Sequence, residues 1–300
     1  MPDALLLLPD FTLIVIGWAL CRHSPLNRSV WDGVERLVYY LLFPALLFSA
    51  ILRHPMQPSS AATLAACGLA VVGLGVLLAY SLRLWPGVDA RLHASGAQVS
   101  FRFNSYVALA LAERLAGTQG VAWVALLVAL CVPVCNIAAV WPLARHGGHG
   151  FLRELAKNPL IVSTAAGLLC NLLGIRLPEL VSTTLGRIGA AALPLGLMAV
   201  GAGLTFGGLK RSPMLAAALL SIRHAILPAV AAALVIVLQM PPPQQAVVVA
   251  FAALPTASSA YVLAARMGGD GSFVAGLVTL STLIGMVALP LTLLALKALA

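Results

Sequence analysis

Long stretches of this chain hold no charge at all. Residues 37–52, 55–82, 115–144, 158–175, 188–209, 224–265 and 271–296 contain no Asp, Glu, Lys or Arg. A helix needs about 20 apolar residues to cross the hydrocarbon of a bilayer, so these runs are measured in membrane spans. Charged residues make up 9% of the 300 and apolar ones 61%, where a soluble globular chain carries about 25% charge. Mean hydropathy is +1.01. So little charge cannot cover a water-facing surface, and lipid has to be the solvent for most of the chain. The same numbers exclude a disordered chain, a coiled coil and a disulfide scaffold.

The run 224–265 is too long for one span, and Met240-Pro241-Pro242-Pro243-Gln244-Gln245 divides it. With a first span retained at the N-terminus and the interrupted stretch around Arg102, ten helices are expected: 4–21, 34–52, 60–82, 93–112, 119–142, 158–174, 184–207, 213–239, 244–266 and 272–297. Residues 4–21 lack the basic start of a secretion signal, showing Asp3 and Asp10 instead. The fold class is therefore an all-α integral membrane protein.

Loops after odd-numbered spans carry eleven basic residues, among them Arg83, Arg91, Arg145, Arg153, Lys157, Lys210 and Arg211. The other side carries five: Arg53, Arg114, Arg176, Arg187 and Lys297. The positive-inside rule puts both termini outside and the loop 146–157 in the cytoplasm. The net charge of +9 is scattered between spans, with no cluster interleaved with aromatics, so no nucleic-acid partner is expected. Of the cysteines Cys21, Cys67, Cys131, Cys135 and Cys170, only Cys131 and Cys135 lie one helical turn apart, without a nearby His or carboxylate, and neither a metal nor a cofactor is expected.

Ten spans divide into two sets of five. An odd number per half forces duplicated halves into opposite orientations, the inverted-repeat plan. Traces of duplication are Leu42-Phe43-Pro44-Ala45-Leu46-Leu47 against Ala192-Leu193-Pro194-Leu195-Gly196-Leu197, and Ser105-Tyr106-Val107-Ala108 against Ala260-Tyr261-Val262-Leu263. The expected organisation is a first repeat over 1–145, a connecting loop at 146–157 and a second, inverted repeat over 158–300.

Spans 4 and 9 carry the polar chemistry. Span 4 reads Ser100-Phe101-Arg102-Phe103-Asn104-Ser105-Tyr106. An arginine at membrane depth is costly unless it faces a cavity or a partner, which makes Arg102 a candidate anion ligand; the alternative is a snorkelling or helix-tying role. In span 9, Pro255 removes a backbone donor and Thr256, Ser258 and Ser259 follow. A broken helix survives at membrane depth only where its freed backbone groups line a cavity or are buried in protein. Pro44, Asn136 and Pro194 are candidate flanking residues. His224, beside Arg223 in span 8, reads as a structural histidine that could also titrate. No motif of a zinc protease, serine hydrolase or P-loop enzyme is present. Met267-Gly268-Gly269-Asp270-Gly271 reads as a turn rather than half of an intramembrane protease, so the chain is not expected to be an enzyme.

Four blocks together resemble bacterial members of the auxin efflux carrier family: Phe101-Arg102-Phe103-Asn104-Ser105-Tyr106, Asn158-Pro159-Leu160-Ile161, Ala191 through Leu197 with Gly201-Ala202-Gly203-Leu204, and Leu254 through Ala264. The resemblance implies two inverted five-helix repeats, with spans 4 and 9 broken where they cross, at Asn104 and Pro255. It implies a scaffold of helices 1, 2, 6 and 7, often dimeric, and a transport domain that moves in elevator fashion. The cargo would be a small organic acid such as malonate or malate, carried across a bacterial inner membrane. The family has proline at the span 4 break; this chain has Asn104, and it lacks the long cytoplasmic loop of the plant carriers. The expected function is thus a secondary carrier of a mono- or dicarboxylate, with Arg102, Asn104, Ser105, Thr256, Ser258 and Ser259 at its site. The rival expectations are a sodium-coupled symporter or cation antiporter on a related crossover fold, and a membrane receptor without flux.

Overall fold

A computed structural model describes residues 8–53, 58–143, 159–204, 208–257 and 259–299. Among these residues every regular element is helical, and each predicted span range carries helix. Six helical stretches are long and apolar enough to cross a membrane: Arg28–Leu52, Ala61–Leu84, Ala90–Leu143, Glu179–Ala202, Pro213–Val237 and Gly271–Leu296. Two shorter apolar helices are Phe11–His23 and Val162–Leu172.

Six falls short of the ten expected spans because spans 1 and 6 carry the two shorter helices, two expected spans run together in one stretch, and one is interrupted. The 54-residue stretch Ala90–Leu143 is kinked at Ala116 and Gly117, where Gly117 adopts φ 56° and ψ −149°. Only glycine reaches that conformation without strain, so this residue separates span 4 from span 5. Span 9 is interrupted, and its halves Pro242–Ala253 and Ser259–Arg266 are each too short to count alone.

Large apolar side chains stand open on the surface: Leu77 is 69% exposed, Val237 78% and Leu180 80%. Water would not tolerate so many. The chain is an integral membrane protein, as its charge-free runs predict.

Two compact units are present, and neither is a sequence half. One comprises Met1–Leu64, Leu109–Ala129 and Gly150–Gly203; the other comprises Ala65–Ala108, Leu130–His149 and Leu204–Ala300. The first gathers spans 1, 2, 6 and 7, together with the stretch around the Gly117 turn. It is held by backbone packing at glycine: a Cβ on Gly17 would collide with the backbone of Met198, and one on Gly201 with that of Ile14. Gly189 lies against the Leu46 backbone in the same way, its would-be Cβ 3.0 Å from the Leu46 Cα. Small residues let helices approach where lipid gives no hydrophobic drive to associate. Asn171 Nδ2 donates to the carbonyls of Ile51 (2.8 Å) and Leu52 (3.3 Å), satisfying the end of span 2.

The second unit holds spans 3, 8, 9 and 10, the first part of span 4 and the second part of span 5. Here helices are tied by side chains on freed carbonyls. Tyr80 Oη donates to the Ala138 carbonyl, and Ser100 Oγ donates to the Leu219 carbonyl at 3.0 Å.

Candidate functional site

Both expected breaks are present in this second unit, and they meet. In span 4 the helix Ala90–Gly96 tightens into a 3₁₀ turn at Ala97–Ser100, loses regular structure over residues 101–104 and resumes at Ser105. In span 9 the helix Pro242–Ala253 ends and residues 254–257 run irregularly. The Asn104 N–H donates to the Pro255 carbonyl at 2.8 Å. Phe103 packs on Phe251 with ring centroids 4.4 Å apart, tilted by 58°. Two backbone interruptions at membrane depth thus satisfy one another inside protein.

Asn104 explains how span 4 breaks without the family's proline. Its Oδ1 accepts the N–H groups of Tyr106 (3.0 Å) and Val107 (3.3 Å), the pattern of an N-cap residue. The side chain therefore starts the second half-helix, its carbonyl oxygen bonded to the backbone. Ser105 is the first residue of that half-helix and is half-buried.

Arg102 is buried in the break, 8% exposed. Its Nη2 donates to Asn136 Oδ1 and its Nη1 to Ser259 Oγ at 3.2 Å. Asn136, in the second half of the span 5 helix, and Ser259, the first residue of the second half of span 9, are thereby brought together around Arg102. Arg102 Nε is buried and meets no hydrogen-bond partner among the described residues. Among the described residues no carboxylate pairs with this guanidinium; the ion pairs present involve Arg28 with Asp32 and Glu35, and Arg211 with Asp270. A buried guanidinium with an unused donor and no acid beside it is a costly arrangement that has the chemistry to receive an anion.

Thr256 is fully buried; its N–H donates to Ser281 Oγ at 3.0 Å and its own Oγ1 has no partner. Ser258 lies outside the described residues. Pro44 and Pro194 lie in helices of the other compact unit, so the crossover unit itself does not include them.

Three participants were not legible in the sequence as members of the site. Arg223, 1% exposed, donates from Nε to the Leu254 carbonyl at 2.6 Å and from Nη2 to the Phe251 carbonyl at 3.1 Å. It caps the C-terminus of the half-helix Pro242–Ala253, where unpaired carbonyls concentrate negative partial charge. The signal for it was present, a charge between two apolar runs, but its partner could not be read. Ser281 and His224 are the others. Ser281 Oγ accepts the Thr256 N–H and lies 2.8 Å from His224 Nε2, and nothing distinguishes Ser281 in sequence from other hydroxyls of span 10.

Asp270 has a structural task. Its Oδ1 accepts the Phe273 N–H (2.9 Å) at the start of the last helix, its other oxygen pairs with Arg211, and its N–H donates to Ser95 Oγ at 2.8 Å. The glycine-rich segment around it is a turn with a capping carboxylate, as its sequence suggests. Among the described residues no three His, Cys, Asp or Glu side chains gather as a metal site.

Comparison with known proteins finds membrane transporters. A protein of Rhizobium meliloti named "Putative malonate transporter" is 27% identical over 221 residues, covering 69% of this chain and 68% of the relative. A protein of Methanothermobacter thermautotrophicus named "Uncharacterized transporter" is 25% identical over 288 residues, 93% of each chain. The profile described as "Membrane transport protein" matches residues 143–293, half of the chain, including the span 9 break. The chain belongs to this family of membrane transport proteins, the auxin efflux carrier family.

Proposed function

We propose that this membrane transporter is a secondary carrier of a small organic anion, a mono- or dicarboxylate, working by alternating access. One observation carries the reading: the buried Arg102 guanidinium, without an acidic partner, lies where two broken helices meet. Two half-helices begin just after the breaks, at Ser105 and Ser259, so their positive ends add to the same field. The unpartnered Thr256 hydroxyl supplies a donor for a carboxylate oxygen. The name of the Rhizobium meliloti relative favours malonate as the first cargo to test.

The ten spans form two inverted five-helix repeats, with spans 4 and 9 as the equivalent broken helices. The grouping of spans 1, 2, 6 and 7 in one compact unit and the breaks in the other favours an elevator, in which the crossover unit carries the cargo. In this reading the protein resides in a bacterial inner membrane, with both termini outside and loop 146–157 in the cytoplasm, and the scaffold pairs as a homodimer.

Reconstitution decides the matter. Wild-type protein in vesicles should exchange labelled malonate, malate or lactate for unlabelled anion. Arg102→Ala should raise the half-saturating concentration by about thirtyfold or more, the cost of removing one partner of a desolvated charge pair. Equal exchange by wild type and Arg102→Ala would remove Arg102 from the site, and ligand binding with no flux would identify a receptor.

A further inference from the structure

His224 lies in a wide π-type turn, Ile222–Ile226, within span 8. Such turns inside helices frequently mark functional sites. Its Nε2 is 2.8 Å from Ser281 Oγ, and that same oxygen accepts the Thr256 N–H from the span 9 break at 3.0 Å. A single hydroxyl therefore separates the imidazole from the irregular segment that also holds Pro255, the partner of Asn104. His224 Nδ1 is buried and has no hydrogen-bond partner among the described residues. A neutral imidazole leaves this nitrogen unsatisfied in either tautomer, at a cost of about 1–3 kcal/mol. That is a poor arrangement for a histidine whose task is only to hold helices together.

The charges around it are few. The turn packs against Pro213–Ser221, Leu227–Val237, Pro242–Ala253, Gly271–Leu299 and Ala97–Ser100. The sequences of these elements include no Asp, Glu, Arg, His, Cys or Tyr, and their single lysine is Lys297, about four helical turns beyond Ser281. Arg223, on the same turn, is committed to the carbonyls of Leu254 and Phe251. Arg102 and Cys135, whose thiol donates to the Phe101 carbonyl at 3.4 Å, belong to the span 4 side of the crossover. No acid is on hand to balance an imidazolium, so its counter-charge has to arrive with a ligand.

Resting on the reading of the chain as an organic-anion carrier, we infer that His224 is its proton-coupling residue, reporting its protonation through Ser281 to the Thr256 segment so that one proton travels with each anion. In the neutral state with Nε2 bare, the Ser281 hydroxyl donates to Nε2 while accepting from Thr256. A proton taken up at Nε2 reverses the first bond: Nε2–H donates to Ser281 Oγ, which now accepts twice. The Ser281 hydrogen is freed to turn toward another acceptor, and the buried Thr256 Oγ1 is an unpaired one on the segment already bonded to it. A bound carboxylate supplies the missing negative charge and favours proton uptake, and by reciprocity the proton favours the carboxylate. On the far side both leave and His224 returns to neutral. A monocarboxylate then moves without net charge, and a dicarboxylate moves with one negative charge.

The test uses the full chain in sodium-free vesicles loaded with a pH-sensitive dye, with malonate and lactate as probes. For wild type, an alkaline interior should drive accumulation of labelled anion, and anion entry should acidify the lumen. His224→Gln should lose gradient-driven accumulation by about tenfold more than it loses exchange of labelled for unlabelled anion. Ser281→Ala, with the imidazole intact, should fall in the same direction. Wild-type exchange without luminal acidification, or the same accumulation-to-exchange ratio in wild type and His224→Gln, overturns the inference while leaving the carrier reading in place. Absence of wild-type exchange for both probes removes the carrier reading and the coupling with it.

Discussion

Arg102 and Arg223 are both buried in the unit that carries the breaks, and they are held differently. Arg223 spends two donors on the carbonyls that end a half-helix; Arg102 bonds two neutral side chains and keeps Nε free. The first arrangement is a cap; the second leaves a donor unused, as the proposed anion site requires. The two substitutions should therefore separate stability from function. Arg223→Met leaves the Leu254 and Phe251 carbonyls buried without a donor, at about 1–3 kcal/mol for each such group, and thermal unfolding in detergent should fall by several degrees. Arg102→Met should unfold within a degree or two of wild type yet lose the stabilisation that saturating malonate gives wild type, about 2.7 kcal/mol at a hundredfold excess over the dissociation constant. Loss of folding in Arg102→Met with no effect in Arg223→Met would reverse these roles. That Arg102 lay in a span was legible, because an arginine between apolar residues has to be accounted for. That Arg223 served a helix end was not, because the carbonyls it caps lie about 30 residues along the chain.

The two broken spans show what local chemistry can fix. Pro255 interrupts span 9 by lacking an N–H, a rule that works from sequence. Span 4 has no proline at its break, and Asn104 achieves the same end by capping the helix that follows. Asn104→Asp preserves an acceptor at the cap, whereas Asn104→Ala removes it at a cost of about 1 kcal/mol. Exchange activity should fall more steeply in the alanine variant, measured beside circular dichroism of the same samples. Equal loss in both would assign the defect to the amide of Asn104 and not to its cap. Gly285 supports the other break from span 10: a Cβ there would lie 3.3 Å from the Pro255 ring. Gly285→Val therefore pushes on the broken segment, and reduced exchange with little change in helix content is expected. The resemblance implied that the two breaks cross, but neither the Asn104–Pro255 hydrogen bond nor the Gly285 contact was legible, since both join segments more than 20 residues apart.

At the scale of the whole molecule, sequence halves and compact units are different divisions. Duplication predicts halves split near residue 150, whereas the observed units draw on both sides of that point. Charge scarcity predicts a topology that labelling can examine. Single cysteines introduced at Arg153 and at Arg176, in a chain whose native cysteines are replaced, should react with an impermeant thiol reagent from opposite sides, Arg153 from the cytoplasm. Labelling of both from one side would overturn the count of spans between them.

The sequence by itself settles the solvent, the class and the location of the breaks. Each of these follows from local rules: how many uncharged residues run together, what proline withholds, and what an arginine costs in lipid. Tertiary structure alone decided which atoms join the two breaks, that Arg223 caps one of them, that Ser281 links His224 to Thr256, and that the unit holding spans 1, 2, 6 and 7 also takes in the stretch around Gly117. Those outcomes depend on hydrogen bonds and glycine contacts between residues far apart in the chain. In a sequence so uniformly apolar, periodicity does not mark which faces will meet.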